Sequence, residues 1–191
     1  MVWAIVILVA VALVALAIVL LYNRFVRLRN RVDNAWAQIE VQLKRRRDLI
    51  PNLVETVKGY AAHERETFES VTQARAAAQR AQSPAEAAQA EGLLGQALGR
   101  LLAVAEAYPE LQADENFRQL QTELAETENR IAISRQVYND TVLTFNNSIQ
   151  TVPGVFFAGF FGFSKREFFD VEDDAQREAP HVSFTPGTPA S

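Results

Sequence analysis

From Val2 to Leu21 the chain carries no charge across twenty residues: fourteen are Val, Ile or Leu, five are Ala and one is Trp3. A helix of that length rises about 30 Å, the thickness of a bilayer's hydrocarbon core, so the run reads as a transmembrane helix. At about 0.3 to 0.6 kcal/mol for each Val, Ile or Leu, the fourteen favour insertion by about 4 to 8 kcal/mol. A cleaved signal peptide needs Lys or Arg ahead of a shorter apolar run. Here no basic residue precedes the run, which is about twice as long as the apolar core of a typical signal peptide. Ala15-Leu16-Ala17 imitates a cleavage site, but further apolar residues follow it. The expectation is a retained, single-pass anchor.

Orientation follows from the flanks. Only Met1 stands before the run, while Arg24, Arg27, Arg29 and Arg31 crowd the far side. The positive-inside rule therefore predicts an N-terminus outside and everything after Tyr22 in the cytoplasm. Each arginine also adds about 1 kcal/mol of attraction to anionic lipid, so these four are candidate membrane contacts.

The chain has 19 basic and 23 acidic residues, a net charge of -4 that gives no indication of nucleic-acid binding. It has no cysteine, which excludes disulfides, thiol catalysis and thiolate metal sites. No phosphate loop, nucleophile elbow or HExxH motif is present, and no cofactor or metal is expected. His63-Glu64-Arg65-Glu66 is the nearest approach to a metal cluster, and it reads as a solvated helical face.

Beyond the anchor, Val32, Trp36, Ile39, Leu43, Ile50, Leu53, Val57, Tyr60, Thr67, Val71, Ala74 and Ala78 recur at alternating spacings of three and four, skipping a step at Arg46 and at Glu64. That is a helical seam. Pro51 interrupts it, since proline lacks an N–H and disfavours helix at the residue before it. Asp48 stands where it would cap a new helix. Either a turn at Asp48 to Pro51 separates two antiparallel helices, or one rod carries a kink. The basic run Lys44 to Arg47 reads as a bundle-end surface.

Ser83-Pro84-Ala85-Glu86 combines a capping box with proline at the first helical position, and predicts a helix ending near Tyr108-Pro109. Gly92, Gly95 and Gly99 weaken that helix by about 1 kcal/mol each relative to Ala, a loss that close approach of a neighbouring helix would offset. Phe117, Leu120, Leu124, Thr127, Ile131, Ser134, Tyr138, Thr141, Phe145, Ser148 and Val152 then keep unbroken three-four spacing up to Pro153-Gly154. Beside this seam lies a polar stripe of Glu128, Asn129, Arg135, Asn139 and Asn146. It is a solvated face, a structural network paired with Asp33, Asn34, Gln38 or Glu40, or a ligand site.

Between Pro153 and Phe169 come seven phenylalanines interleaved with glycine and alanine. Phe156, Phe157, Phe160 and Phe161 share one face if helical, and burying each contributes about 1.5 to 3 kcal/mol. This amphipathic segment must dock on the bundle, the membrane surface or a partner. Residues 171–191, acidic and then rich in Pro, Ser, Thr and Gly, read as a disordered tail.

The apolar run followed by Tyr22-Asn23, the stretch Arg45 to Val54, Tyr108-Pro109-Glu110-Leu111, Glu128-Asn129-Arg130-Ile131, Tyr138-Asn139 and the Pro153 to Phe163 segment together resemble the LemA family, over about residues 2 to 170. Some members carry a lipoprotein cysteine after the apolar run, which this chain lacks. The resemblance implies a bacterial inner-membrane protein with its soluble part in the cytoplasm. It also implies an all-α fold: an N-terminal transmembrane helix, then an antiparallel up-and-down four-helix bundle with a short C-terminal Phe-rich helix. That fold favours the turn at Asp48 to Pro51. No enzymatic activity is implied.

The expected organisation is an anchor at 1–22, a bundle at 23–152, the Phe-rich segment at 153–170 and a tail at 171–191. The expected function is a non-enzymatic membrane scaffold or adaptor, self-assembling at the membrane in one form. Its partners are then the lipid bilayer and copies of itself or other membrane proteins. The alternative is a membrane-anchored ligand sensor with Glu128, Arg135, Asn139 and Asn146 lining a pocket between helices.

Overall fold

Helix α1 (Val2–Lys58) runs unbroken from the apolar stretch to the far end of the bundle in a computed structural model that describes residues 1–170. Its 57 residues span about 85 Å. The expected tail at 171–191 lies outside the described residues.

No turn forms at Asp48 to Pro51, contrary to what the resemblance implied; the helix continues through Pro51. Proline removes the N–H that would have bonded the Arg47 carbonyl four residues back. That carbonyl instead accepts the Arg75 Nε–H at 2.9 Å from α2 (Arg65–Arg80), so the orphaned group is satisfied by a neighbouring helix. Asp48 pairs with Lys44 on its own helix rather than capping a new one. The reversal comes at residues 59–64, after Lys58-Gly59, a basic last turn followed by glycine that is itself a stop signal. His63 and Glu64 therefore sit in this turn and not on a helix.

Helix α3 (Pro84–Glu106) starts where the capping box predicts: Glu86 N–H donates to Ser83 Oγ at 3.2 Å. The Glu86 carboxylate reaches back one residue further than usual, accepting the Gln82 N–H at 2.9 Å. A single turn, α4 (Pro109–Ala113), leads to α5 (Glu115–Gln150), capped by Asp114 Oδ1 on the Phe117 N–H. A cis Val152–Pro153 peptide precedes α6 (Gly154–Ala158).

The four long helices alternate in direction. α5 lies antiparallel along α1, with Trp36 beside Tyr138 and Arg46 beside Glu128, and α3 packs along α2. Two apolar clusters make the core. The outer one joins Ile50, Leu53 and Val57 to Val71, Leu94, Leu101, Leu111 and Phe117. The one nearer the apolar stretch joins Phe25, Val32, Ile39 and Leu43 to Ile131, Tyr138, Phe145, Phe163 and Phe169. α2 and α3 meet at a loop level with Val32 to Trp36. Beyond that level the C-terminal segment covers the α1–α5 pair. This segment is not one amphipathic helix: α6 stops at Gly159, Gly162 takes φ +73°, and residues 163–170 are extended.

Candidate functional site

The seam of α1 reads Ile39, Leu43, then Arg46, then Ile50, all buried. The step that the apolar pattern skips is therefore occupied by an arginine facing inward, at the boundary between the two apolar clusters. The Lys44 to Arg47 run is thus mid-bundle and not a bundle end. Arg46 is 5 % exposed and donates through Nη1 to Glu91 Oε2 at 3.2 Å. Its Nε lies 2.7 Å from Glu128 Oε1, but the N–H is misaligned, so this contact is an ion pair without a hydrogen bond. Arg47 Nη1 donates to the other Glu91 oxygen at 2.6 Å. A carboxylate taken out of water needs such pairing. Burial nonetheless pushes the Glu91 carboxyl above its ordinary value, against the pull of Arg46 and Arg47.

Gly95 makes room for this arginine: a Cβ there would stand 3.2 Å from Arg46 Nη2. Close helix approach does not explain Gly99, whose Cβ would meet nothing within 4 Å. Between α3 and α5, above the Arg46 guanidinium, lies an open cleft of about 420 Å³. Glu128, Asn129 and Arg135 line it with Glu91 and Phe169.

Asn139 and Asn146 are not in that cleft. They are two turns apart on α5, and each grips the main chain of the extended segment through both ends of its amide. Asn146 Nδ2 donates to the Arg166 carbonyl at 2.9 Å while its Oδ1 accepts the Arg166 N–H at 2.8 Å. Asn139 does the same to Phe169, at 3.1 Å and 2.9 Å. The Tyr138 hydroxyl donates to the Glu167 carbonyl at 2.8 Å. Burial pushes that phenol up to about 12. Phe163 and Phe169 anchor the two ends, Phe169 against Trp36 and Phe163 against Phe25 and Tyr22. Arg166 also reaches Asp33 on α1 at 2.8 Å. The segment is a strap held by side chains that recognise backbone.

The polar stripe thus divides: Glu128, Asn129 and Arg135 at the cleft, Asn139 and Asn146 under the strap. The phenylalanines divide too. Phe157 and Phe161 are half-buried, whereas Phe156 and Phe160 are 73 % and 86 % exposed. Arg24, Arg27, Arg29 and Arg31 are all exposed, with Arg29 5.6 Å over the Phe163 ring. Sequence reasoning missed Arg46, Glu91 and Tyr138. The skipped seam step was the available signal for Arg46, and Tyr138 was read only as a seam residue. Nothing local marks Glu91, whose partners are 44 and 45 positions away.

A four-helix bundle prolonged into one helix long and apolar enough to cross a membrane, with a C-terminal strap over its near end, defines the class. The sequence model of the LemA family matches residues 35–184, and the chain belongs to that family. Magnetosome proteins MamQ 2 and MamQ 1 of Paramagnetospirillum magneticum are each 29 % identical over 174 residues, covering 78 % of this chain and 64 % of the relative. Protein LemA of Metamycoplasma hominis is 29 % identical over 133 residues, covering 68 % of this chain and 59 % of the relative. The chain thus spans less than two thirds of the length of these relatives.

Proposed function

We propose that this is a non-enzymatic, single-pass protein of the bacterial inner membrane, its N-terminus outside and its bundle in the cytoplasm, acting as a scaffold or adaptor for other membrane proteins or for copies of itself. The observation that carries this reading is the unbroken α1. One helix is both the apolar stretch and a strut of the bundle core, so the bundle is presented rigidly relative to that stretch. Exposed Leu93, Ile133, Val137 and Leu143 offer apolar contact on the outside of the bundle. The four exposed arginines after Tyr22 support the orientation. Arg46, Arg47, Glu91 and Glu128 are engaged with one another, as a network that holds helices together would be. The relatives named for the magnetosome suit a structural part in an assembly.

Mass photometry of the intact chain in nanodiscs, with crosslinking in native membranes, tests the proposal. A defined homo-oligomer, or a discrete crosslinked partner lost in a Leu93→Glu, Ile133→Glu variant, is the expected result. A monomer that crosslinks to nothing overturns it. The cleft over Arg46 favours a second reading, a ligand sensor. That reading requires a metabolite-induced thermal shift that Arg135→Ala abolishes.

A further inference from the structure

Phe156 and Phe160, with Val152 and Val155, form an exposed apolar knob on the outside of the C-terminal segment. Inward-facing demand does not account for it, because Phe163 and Phe169 already fill the core positions of that segment. Its height along the molecule is fixed. Gly154 is wedged so tightly that a Cβ would stand 3.1 Å from the Phe25 ring and would run into the Ser148 carbonyl oxygen. Phe161 in turn packs on Tyr22 at 5.2 Å and on Phe160 at 5.4 Å. The knob therefore sits level with Tyr22 to Phe25, starting one residue past the end of the apolar run and about 6 Å deep from Leu21. The headgroup zone on each side of a bilayer is about 5 to 7 Å thick.

We infer that the Phe156–Phe160 knob is a second membrane contact, seated at the boundary of headgroups and acyl chains beside the spanning helix. This rests on the reading of α1 as membrane-spanning and deepens it. Tyr22, at the same level, is of the ring type that favours that depth, and an amphipathic element with Phe on its apolar side buries that side about 5 to 10 Å into the same boundary. Exposed Arg24 and Arg27 flank the site with the charge that anionic headgroups attract. A single helix leaves the bundle free to swivel about its own axis and to tilt. A contact offset to one side of that axis sets which face of the bundle lies toward the membrane plane.

The absence of cysteine makes the chain suited to single-site spin labelling. Val11→Cys, Phe156→Cys, Phe160→Cys and Leu93→Cys full-length variants would be labelled, placed in nanodiscs containing anionic lipid, and compared for accessibility to oxygen and to a water-soluble nickel chelate. Expected is loss of chelate accessibility at 11, 156 and 160, with 93 fully accessible. Labels at 156 and 160 as chelate-accessible as 93, with 11 protected, overturn the knob contact and leave the anchor standing. Chelate access at 11 removes both. Protection at 156 and 160 accompanied by spin–spin broadening that disappears on dilution with unlabelled chain assigns the knob to a second copy, and also overturns the inference.

Discussion

Removing the Asn146 amide should release the strap without unfolding the bundle. Asn146 is 6 % exposed and makes two hydrogen bonds to one residue, Arg166. Each such bond contributes about 0.5 to 1.5 kcal/mol net, so Asn146→Ala costs the docked state about 1 to 3 kcal/mol. That raises the strap's opening constant about 5- to 150-fold. Asn146→Asp should be no better, because it loses the donor and sets a negative charge against the Arg166 carbonyl. Native-state hydrogen exchange reads the effect directly. The Phe169 amide, which donates to the untouched Asn139 side chain, should exchange faster by that factor, while core amides of α2 and α3 keep their protection. The neighbouring Asn147→Ala, at an exposed site, is the control. Unchanged exchange at Phe169 would mean that the strap is held without Asn146. Equal acceleration throughout α5 would mean that strap and bundle open as one unit. Either result refutes the reasoning.

Gly154→Ala forces a Cβ against the Ser148 carbonyl and should cost about 1 to 3 kcal/mol, seen as a lowered melting temperature and a disturbed Phe25–Phe163 contact. Tyr138 has its value raised above the ordinary 10, to about 12, so its contribution is whole below pH 10 and lost as pH rises through 12. The loss is at most about 3 kcal/mol. Denaturant titrations should show a decline between those pH values that Tyr138→Phe lacks. Glu91 is also raised, so its contribution is whole below the ordinary 4.5 and falls as pH climbs through the raised value. The stability of Glu91→Gln relative to wild type should therefore increase with pH across that window. A relative decrease would show that pairing with the two arginines outweighs burial.

Helical periodicity made the long elements legible because burial of one face leaves a record at every third or fourth residue. The seam from Phe117 to Ser148, the capping box at Ser83 and the apolar run each fixed an element. The residues left a turn at Asp48 to Pro51 and one continuous rod open, and the resemblance favoured the wrong one for a physical reason: Pro51 is a strong local breaker, and the contact that tolerates it, Arg75 on the Arg47 carbonyl, is 28 residues distant. The helix ends instead at Lys58, where Gly59 keeps helical dihedrals and the chain turns over the residues that follow. The charged layer at Arg46 had the same obstacle, since a buried arginine and a solvated one look alike until Glu91 is brought beside it.

The asparagines of the stripe were visible as polar residues next to a packed face, but their ligands are backbone atoms, which carry no sequence signature. That has a consequence for the strap. Because Asn139 and Asn146 hold main-chain groups of Arg166 and Phe169, side-chain identity at 164, 165 and 168 is free of that contact, and all three are exposed. The packed demands fall on Phe163 and Phe169, six residues apart, with Tyr138 closing on Glu167 between them. The α1–α5 groove is thus built to seat an extended chain by its backbone and its two terminal rings. The α2–α3 pair covers the outer part of the same groove with helices. The packed part of α1, from Phe25 to Val57, is in this way kept from water along its length: near the apolar stretch by the strap, which turns back from the end of α5, and farther out by α2 and α3.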